Sequence, residues 1–143
     1  MKIRTVPIEI VELEENSLHL LIRVCINDTE GDFIIDTGAS VTVADNHLFP
    51  EAQKTEEEIH FRSGSINGEI SDIRLVEVDR FEIGGQAVGL KRMAALDLNY
   101  VNDMYHKFLD RKVIGLLGGD FCVKHRAVID CNRQTFSFCI GKD

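Results

Sequence analysis

Residues 33–40, with the sequence FIIDTGAS, place one carboxylate between an apolar run and a run of small residues. The apolar residues predict a strand buried on both faces, and Gly38 allows the chain to turn sharply where a Cβ would clash. Asp36 at a strand end could be an ordinary turn residue. Together with Val41 and Val43, however, the pattern is long enough to favour a functional loop. A carboxylate held in such a loop can act as a general acid or base.

The size and charge of the chain restrict what it can be. Its 143 residues predict a single domain, residues 1–143, with a substantial core. The composition, 44% hydrophobic and 28% charged, is that of a globular protein. The formal net charge of −8, without a basic cluster, argues against a nucleic-acid partner.

The sequence shows no pattern typical of a signal peptide, a membrane span or a metal site. Glutamates interrupt the apolar segment after Lys2 and Arg4, so no signal core forms, and no run is long enough to span a membrane. If the chain is complete, we expect it to be cytoplasmic, with reduced cysteines and no membrane partner. The four cysteines and five histidines show no zinc-ligand spacing, and no glycine-rich phosphate loop is present. We therefore expect no metal and no cofactor.

Alternating apolar residues predict that most of the chain is β-strand. Residues 6–10 and 18–26 alternate, and a turn at 27–31 leads back into the strand that ends at Asp36. Residues 81–96 predict another strand pair around Gly84-Gly85, and residues 127–140 a C-terminal hairpin. The acidic run 56–58 predicts a solvent-exposed face.

A second hairpin is predicted around a small, glycine-rich centre at residues 63–68. It is either a surface hairpin without a role or a mobile flap that closes over a substrate. The flap residues in the second case are Ser63, Gly64, Ser65, Ile66 and Asn67.

Two features follow in the last third of the chain. Apolar residues at helical spacing from Val101 to Leu109 predict a packing helix, with Asn99 as its N-cap. Residues 113–121, VIGLLGGDF, alternate apolar pairs with glycines, and Asp120 could cap a short helix from Phe121.

Taken together, the motifs resemble those of the retropepsin-like aspartic proteases, the single-lobe relatives of pepsin. The resemblance rests on Asp-Thr-Gly-Ala at 36–39, the glycine-rich hairpin, and Leu116-Leu117-Gly118 before a helix, and it covers about residues 18–140. It implies a mainly β fold with one or two short helices, in a pepsin-like closed barrel. The helical segment 98–110 is extra relative to the shortest viral enzymes.

The resemblance also implies a homodimeric endopeptidase that cleaves peptide or protein substrates. Two carboxylates must share one proton, so that one acts as acid and the other as base on a water, and this chain has one Asp-Thr-Gly. The second catalytic Asp36 would come from a second copy, on a two-fold axis. Thr37 would brace the two loops across the dimer, Gly38 would contact substrate backbone, and Ala39 completes the loop. The remaining implied site residues are Val41, Val43 and Leu116 in side-chain pockets and Leu117 and Gly118 in the second loop.

Three positions depart from the family pattern. Viral enzymes often carry an Asp–Arg ion pair where this chain has Ser40 and Gly119, and its absence implies a weaker dimer. Pepsins usually have serine in place of Ala39, with its hydroxyl on the catalytic carboxylate. Two hypotheses of different class follow: an active aspartic endopeptidase, or a dimeric binding or assembly module that kept the fold without proteolysis. The intact Asp36-Thr37-Gly38 favours the enzyme.

Overall fold

Strands dominate the chain, with two α-helices in its second half. We describe residues 2–50 and 73–141 from a computed structural model. The strands are β1 Lys2–Pro7, β2 Glu9–Glu12, β3 Leu18–Ile26, β4 Thr29–Ile35, β5 Val43–Asp45, β6 Arg74–Glu77, β7 Phe81–Ile83, β8 Gln86–Ala87, β9 Arg92–Leu96, β10 Val113–Leu117, β11 Val128–Asp130 and β12 Thr135–Ile140. The helices are α1 Asn99–Leu109 and α2 Gly119–Lys124, and a 3₁₀ turn spans Asn46–Leu48. The predicted mainly β class is confirmed.

The described strands form two sheets. The larger runs in the order β6-β9-β5-β10-β4-β3-β7-β8, with β2 added beside β3. The smaller sheet has the order β1-β12-β11 and brings the two ends of the chain together, with Lys2 opposite Ile140. Over the described residues this pairing is an open path and does not close the predicted barrel.

The strand before Asp36 is buried on both faces, as predicted. Phe33 and Ile35 lie in one apolar cluster, whereas Ile34 lies in the other, because neighbouring side chains of a strand point to opposite faces. All residues from 31 to 35 are buried. The strand is therefore fixed from both sides before the chain reaches the carboxylate.

The turn into this strand is shorter than the predicted turn at 27–31. Ile26 pairs with Thr29, so the loop of the β3–β4 hairpin is Asn27 and Asp28 alone. Asn27 has a φ of 52°, in the left-handed region that asparagine tolerates. Its side-chain oxygen accepts the backbone N–H groups of Asp79 and Arg80, which joins the turn to β7. The sequence predicts residues 29–31 as part of the turn because they are polar or glycine, and sequence alone does not show their pairing with β3.

Helix α1 packs on the apolar cluster that contains Ile34, Val43 and Leu116, which we call the inner cluster. Val101 and Tyr105 are buried on the predicted apolar face. The prediction of Asn99 as N-cap is wrong by one residue: Leu98 occupies the cap, and the Asp97 carboxylate accepts the N–H of Asn99 at 2.8 Å. Asp110 ends the helix in the left-handed conformation, with a φ of 51°.

The other predicted hairpins have different outcomes. Of the strand pair predicted at 81–96, the part around Gly84-Gly85 forms the β7–β8 hairpin, with both glycines at positive φ. Residues 92–96 instead form β9, which pairs with β5 and β6. The C-terminal hairpin is confirmed as β11–β12. The glycine-rich hairpin centre at 63–68 and the acidic run 56–58 lie outside the described residues. Across the residues described, none of the helices combines the length and apolar character needed to cross a bilayer.

Candidate active site

Three strands position the loop that carries Asp36. β10 lies between β4 and β5: it pairs in parallel with β4, Leu117 opposite Ile35, and antiparallel with β5, Leu116 opposite Val43. Residues 36–42 must therefore pass over the end of β10 to reach β5. Two chain segments distant in sequence, residues 36–42 and 117–120, thus meet at one edge of the sheet.

The carboxylate of Asp36 is held by its own loop. The Asp36 N–H donates to the Leu117 carbonyl at 2.9 Å, which extends the pairing of the two parallel strands. Asp36 Oδ1 accepts the N–H of Gly38 at 3.1 Å, and the Asp36 carbonyl accepts the N–H of Ala39 at 3.0 Å. The side chain of Asp36 is half-buried, whereas Thr37 and Gly38 are exposed. The loop thus presents a carboxylate of fixed orientation to the outside.

The glycine after Asp-Thr lies against the carboxylate of Asp36. Gly38 is not among the residues of positive φ, but a Cβ on it would lie 3.3 Å from Asp36 Oδ1. That is tighter than most Cβ contacts and would press on the carboxylate. Sequence reasoning expected a clash with a Cβ here, and the structure identifies the carboxylate as the neighbour.

The segment after β10 packs against the Asp36 loop by its backbone. Gly118 faces this loop so closely that a Cβ would lie 2.6 Å from the Val41 carbonyl oxygen. The Gly119 N–H donates to the Ala39 carbonyl at 2.8 Å, yet a Cβ on Gly119 would meet only ordinary contacts from 3.6 Å. Gly118 is therefore required by packing, whereas Gly119 is not.

A side-chain link joins the same two segments. Buried Thr42 donates its hydroxyl to Asp120 Oδ1 at 2.8 Å and accepts the N–H of Gly118 at 3.1 Å. Asp120 Oδ1 also accepts the N–H of Phe121 at 2.8 Å, within the first turn of α2. The predicted cap role of Asp120 is thus corrected: α2 begins at Gly119, with Gly118 at its N-cap. Sequence reasoning did not single out Thr42, because its partner lies 78 residues away.

The residues expected in side-chain pockets differ in burial. Val41 is half-buried, but Val43 and Leu116 are completely buried in the inner apolar cluster. This burial favours Val41 as the residue of the three that a substrate could touch. The expected flap residues 63–67 lie outside the described part of the chain.

A second polar cluster lies where β5 and β9 end. Asp45, His47 and Asp97 each offer one ligand atom, all within 4.8 Å of one another, so they could in principle hold a metal ion. Asp45 is 1% exposed, and its Oδ1 already accepts both the N–H and the Nδ1–H of His47. The cluster is thus satisfied internally as the cap of the 3₁₀ turn.

Comparisons with known proteins agree with this geometry. Residues 22–121, more than half of the chain, match the family model described as aspartyl protease. The fold is similar to that of a retropepsin-like aspartic protease from Rickettsia conorii, with a TM-score of 0.52 and 14% identity over 96% of this chain and 91% of that one. No curated protein sequence matches the chain. The matched region contains β4, the Asp36 loop, β10 and the Gly118–Asp120 segment, and on this basis the chain belongs to the aspartyl protease family.

Proposed function

We propose that this chain is a homodimeric aspartic endopeptidase in which Asp36 of each copy forms one half of a catalytic dyad. The observation that carries the proposal is the fixed carboxylate of Asp36. It lies at the end of a doubly buried strand, accepts the N–H of Gly38, and belongs to a loop held by the residues after β10. A binding module would not need a half-buried carboxylate held in this way.

The dimer follows from the chemistry and from the sequence. Hydrolysis of an unactivated peptide bond by carboxylates requires an acid and a base together, and Asp-Thr-Gly occurs once in the chain. A two-fold axis beside the exposed residues Thr37 and Gly38 would bring two Asp36 side chains together. Two like charges about 3 Å apart repel strongly, so the two carboxyls would share one proton in the active form.

The reaction would proceed in two steps. The ionised carboxyl takes a proton from a water, whose oxygen attacks the peptide carbonyl carbon while the protonated carboxyl donates to the carbonyl oxygen. The tetrahedral intermediate then collapses and the C–N bond breaks: the carboxyl that took the proton from water gives it to the leaving amine, and a hydroxyl of the intermediate returns a proton to the other carboxylate, which restores the pair. Exposed backbone at Thr37 and Gly38 would lie beside the peptide, and Val41 would contact a substrate side chain.

The direct test is Asp36→Asn, assayed on an unfolded protein substrate with and without a statine-type inhibitor. We expect activity to fall by at least roughly 10²–10⁴-fold, the contribution of a general acid or base, while the circular dichroism spectrum stays native. Asp28→Asn is the matched control, because Asp28 is exposed in the β3–β4 turn. Wild-type cleavage rates in Asp36→Asn would contradict the proposal and leave a non-proteolytic module as the explanation.

A mixing experiment tests the shared dyad separately from the fold. Asp36→Asn chains added to wild-type chains should reduce activity with the square of the wild-type fraction, because each mixed dimer holds one carboxylate. A linear fall would show that each chain works alone.

A further inference from the structure

His19 and Asp36 lie just beyond the last pair of the β3–β4 hairpin. That pair is Leu21 with Ile34, and both of these residues lie in one apolar cluster together with Tyr105 of α1. Side chains two residues apart along a strand point to the same face. His19, two residues before Leu21, and Asp36, two residues after Ile34, are therefore on the face of the sheet that carries this cluster.

Tyr105 holds the imidazole from the helix side. His19 Nδ1 lies 2.6 Å from the Tyr105 hydroxyl oxygen, and the two rings lie 5.6 Å apart at 56°. Tyr105 is completely buried, and burial raises the pKa of its phenol, which therefore stays protonated. A hydroxyl can donate to neutral Nδ1 or accept from protonated Nδ1. The hydrogen bond therefore persists whether or not the imidazole is charged.

The charges around this pair come from few groups. Burial lowers the pKa of His19, and the negative charge of Asp36 opposes this shift. From β2, the residue paired with His19 is apolar Val11. Arg111 and Asp32 act on the phenol of Tyr105. Among the described residues, Asp36 is thus the charged group that acts on His19.

We propose that His19 is a positioning residue of the catalytic site, which couples its own protonation to that of the Asp36 pair and so sets the lower pH limit of activity. The proposal rests on the proposed protease function. In the acid range the imidazole of His19 is protonated, and its positive charge stabilises the ionised form of the Asp36 carboxyl. The pair would then keep its catalytic single charge to lower pH than two carboxyls alone. In a dimer, one such histidine would flank the pair from each side.

The first test does not depend on activity. The His19 ring signal is followed by NMR against pH in the wild type and in Asp36→Asn, and assigned by its absence in His19→Gln. Removing the negative charge of Asp36 should lower the His19 pKa, because that charge favours the protonated imidazole. An unchanged His19 pKa would overturn the proposal and leave the protease function untouched.

The second test follows the pH–activity profile of the dimer. His19→Gln removes the titrating charge and should move the acid limb of the pH–activity profile to higher pH, by roughly half a pH unit to one unit. His19→Lys keeps a positive charge and should leave that limb low, and His106→Gln, on the exposed face of α1, is the matched control. If the acid limbs of the pH–activity profiles coincide in His19→Gln and wild type, the coupling is contradicted. Loss of activity in Asp36→Asn would still support the protease function in that case.

Tyr105→Phe separates position from charge. It keeps the buried ring but removes the hydroxyl, so His19 keeps its charge and loses its anchor. We expect Asp36→Asn to change the NMR-measured pKa of His19 less in the Tyr105→Phe background than it does in the wild type. An equal shift would show that the Tyr105 hydrogen bond does not position the imidazole.

Discussion

Thr42 donates its hydroxyl to Asp120 across 78 residues of sequence and accepts the Gly118 N–H with the same oxygen. One buried side chain therefore fixes the distance between the Asp36 loop and the segment after β10. Thr42→Val keeps the shape but leaves the buried Gly118 N–H unpaired, and we expect it to reduce the free energy of unfolding by about 1–3 kcal/mol. Urea denaturation measures this change. Thr42→Ser, which keeps the hydroxyl, should retain most of the stability, and equal losses in both variants would show that the methyl group matters instead.

The two adjacent glycines after Leu117 offer a matched pair of variants. Gly118→Ala pushes a Cβ to 2.6 Å from backbone atoms of Val41, so the loop must shift, and we expect a loss of about 1–3 kcal/mol. Gly119→Ala meets ordinary contacts and should stay within about 0.5 kcal/mol of wild type. Thermal unfolding of the two variants side by side tests this. A larger effect at Gly119 would contradict the packing described above.

Assembly should depend on salt. Two copies carry a formal charge of −16, twice that of one chain, and the positions of the family's supporting ion pair hold Ser40 and Gly119. Added salt screens charges separated by more than about 8–10 Å at 0.10–0.15 M, so the dimer should become tighter between low and moderate salt. Sedimentation velocity at several concentrations measures this. A chain that stays monomeric at high concentration and cleaves fully would contradict the dimer.

The fold is expected to lose stability below the usual pKa of histidine. Burial lowers the pKa of His19 in the folded state, so the unfolded chain binds more protons as the pH falls below 6.5. The contribution of His19 is therefore present above pH 6.5 and is lost as the pH falls toward the folded value. Urea unfolding of wild type and His19→Gln between pH 7.5 and 5 should show a steeper loss in the wild type. Parallel curves would contradict the shift.

The cysteines should differ in reactivity. Burial and the nearby charge of Asp120 raise the pKa of the Cys122 thiol, so little of it is thiolate. Cys131 is exposed in the β11–β12 turn. With a thiol reagent at pH 8, we expect Cys131 to be labelled well before Cys122, as peptide mass mapping would show. Cys131→Ser is the control that removes the fast phase.

The local parts of this fold could be predicted from sequence. Alternating apolar residues predict β3, the continuous apolar run before Asp36 predicts the end of β4, and turn residues mark the hairpins at Gly84 and at the C-terminus. The predicted turn before β4 is three residues too long, because residues 29–31 are polar or small and become a strand only through their pairing with β3. The cap of α1 was placed one residue late because Asp97 supplies the hydrogen bond from outside the helix.

The long-range parts could not be predicted. Parallel pairing of β4 with β10 leaves no turn between the two strands to mark it, so the meeting of Thr42 with Asp120 had no local signal. Nor does the sequence show that Asp45 is buried, since a polar residue after two apolar ones usually ends a strand. No local pattern marks His19, because its hydrogen bond with Tyr105 depends on the position of α1, 86 residues away.

The register of the β3–β4 hairpin also has a consequence for the order in which the chain folds. A two-residue loop closes this hairpin, so the strand that leads into Asp36 forms through the most local contacts that the site has. The β4–β10 pairing, with Leu117 opposite Ile35, closes a far longer loop, and the pairing of Lys2 with Ile140 spans nearly the whole chain. Closing longer loops costs more entropy and slows folding. The chain would therefore form the strand that carries Asp36 early, and the loop that orients the carboxylate would become rigid only once distant strands have joined.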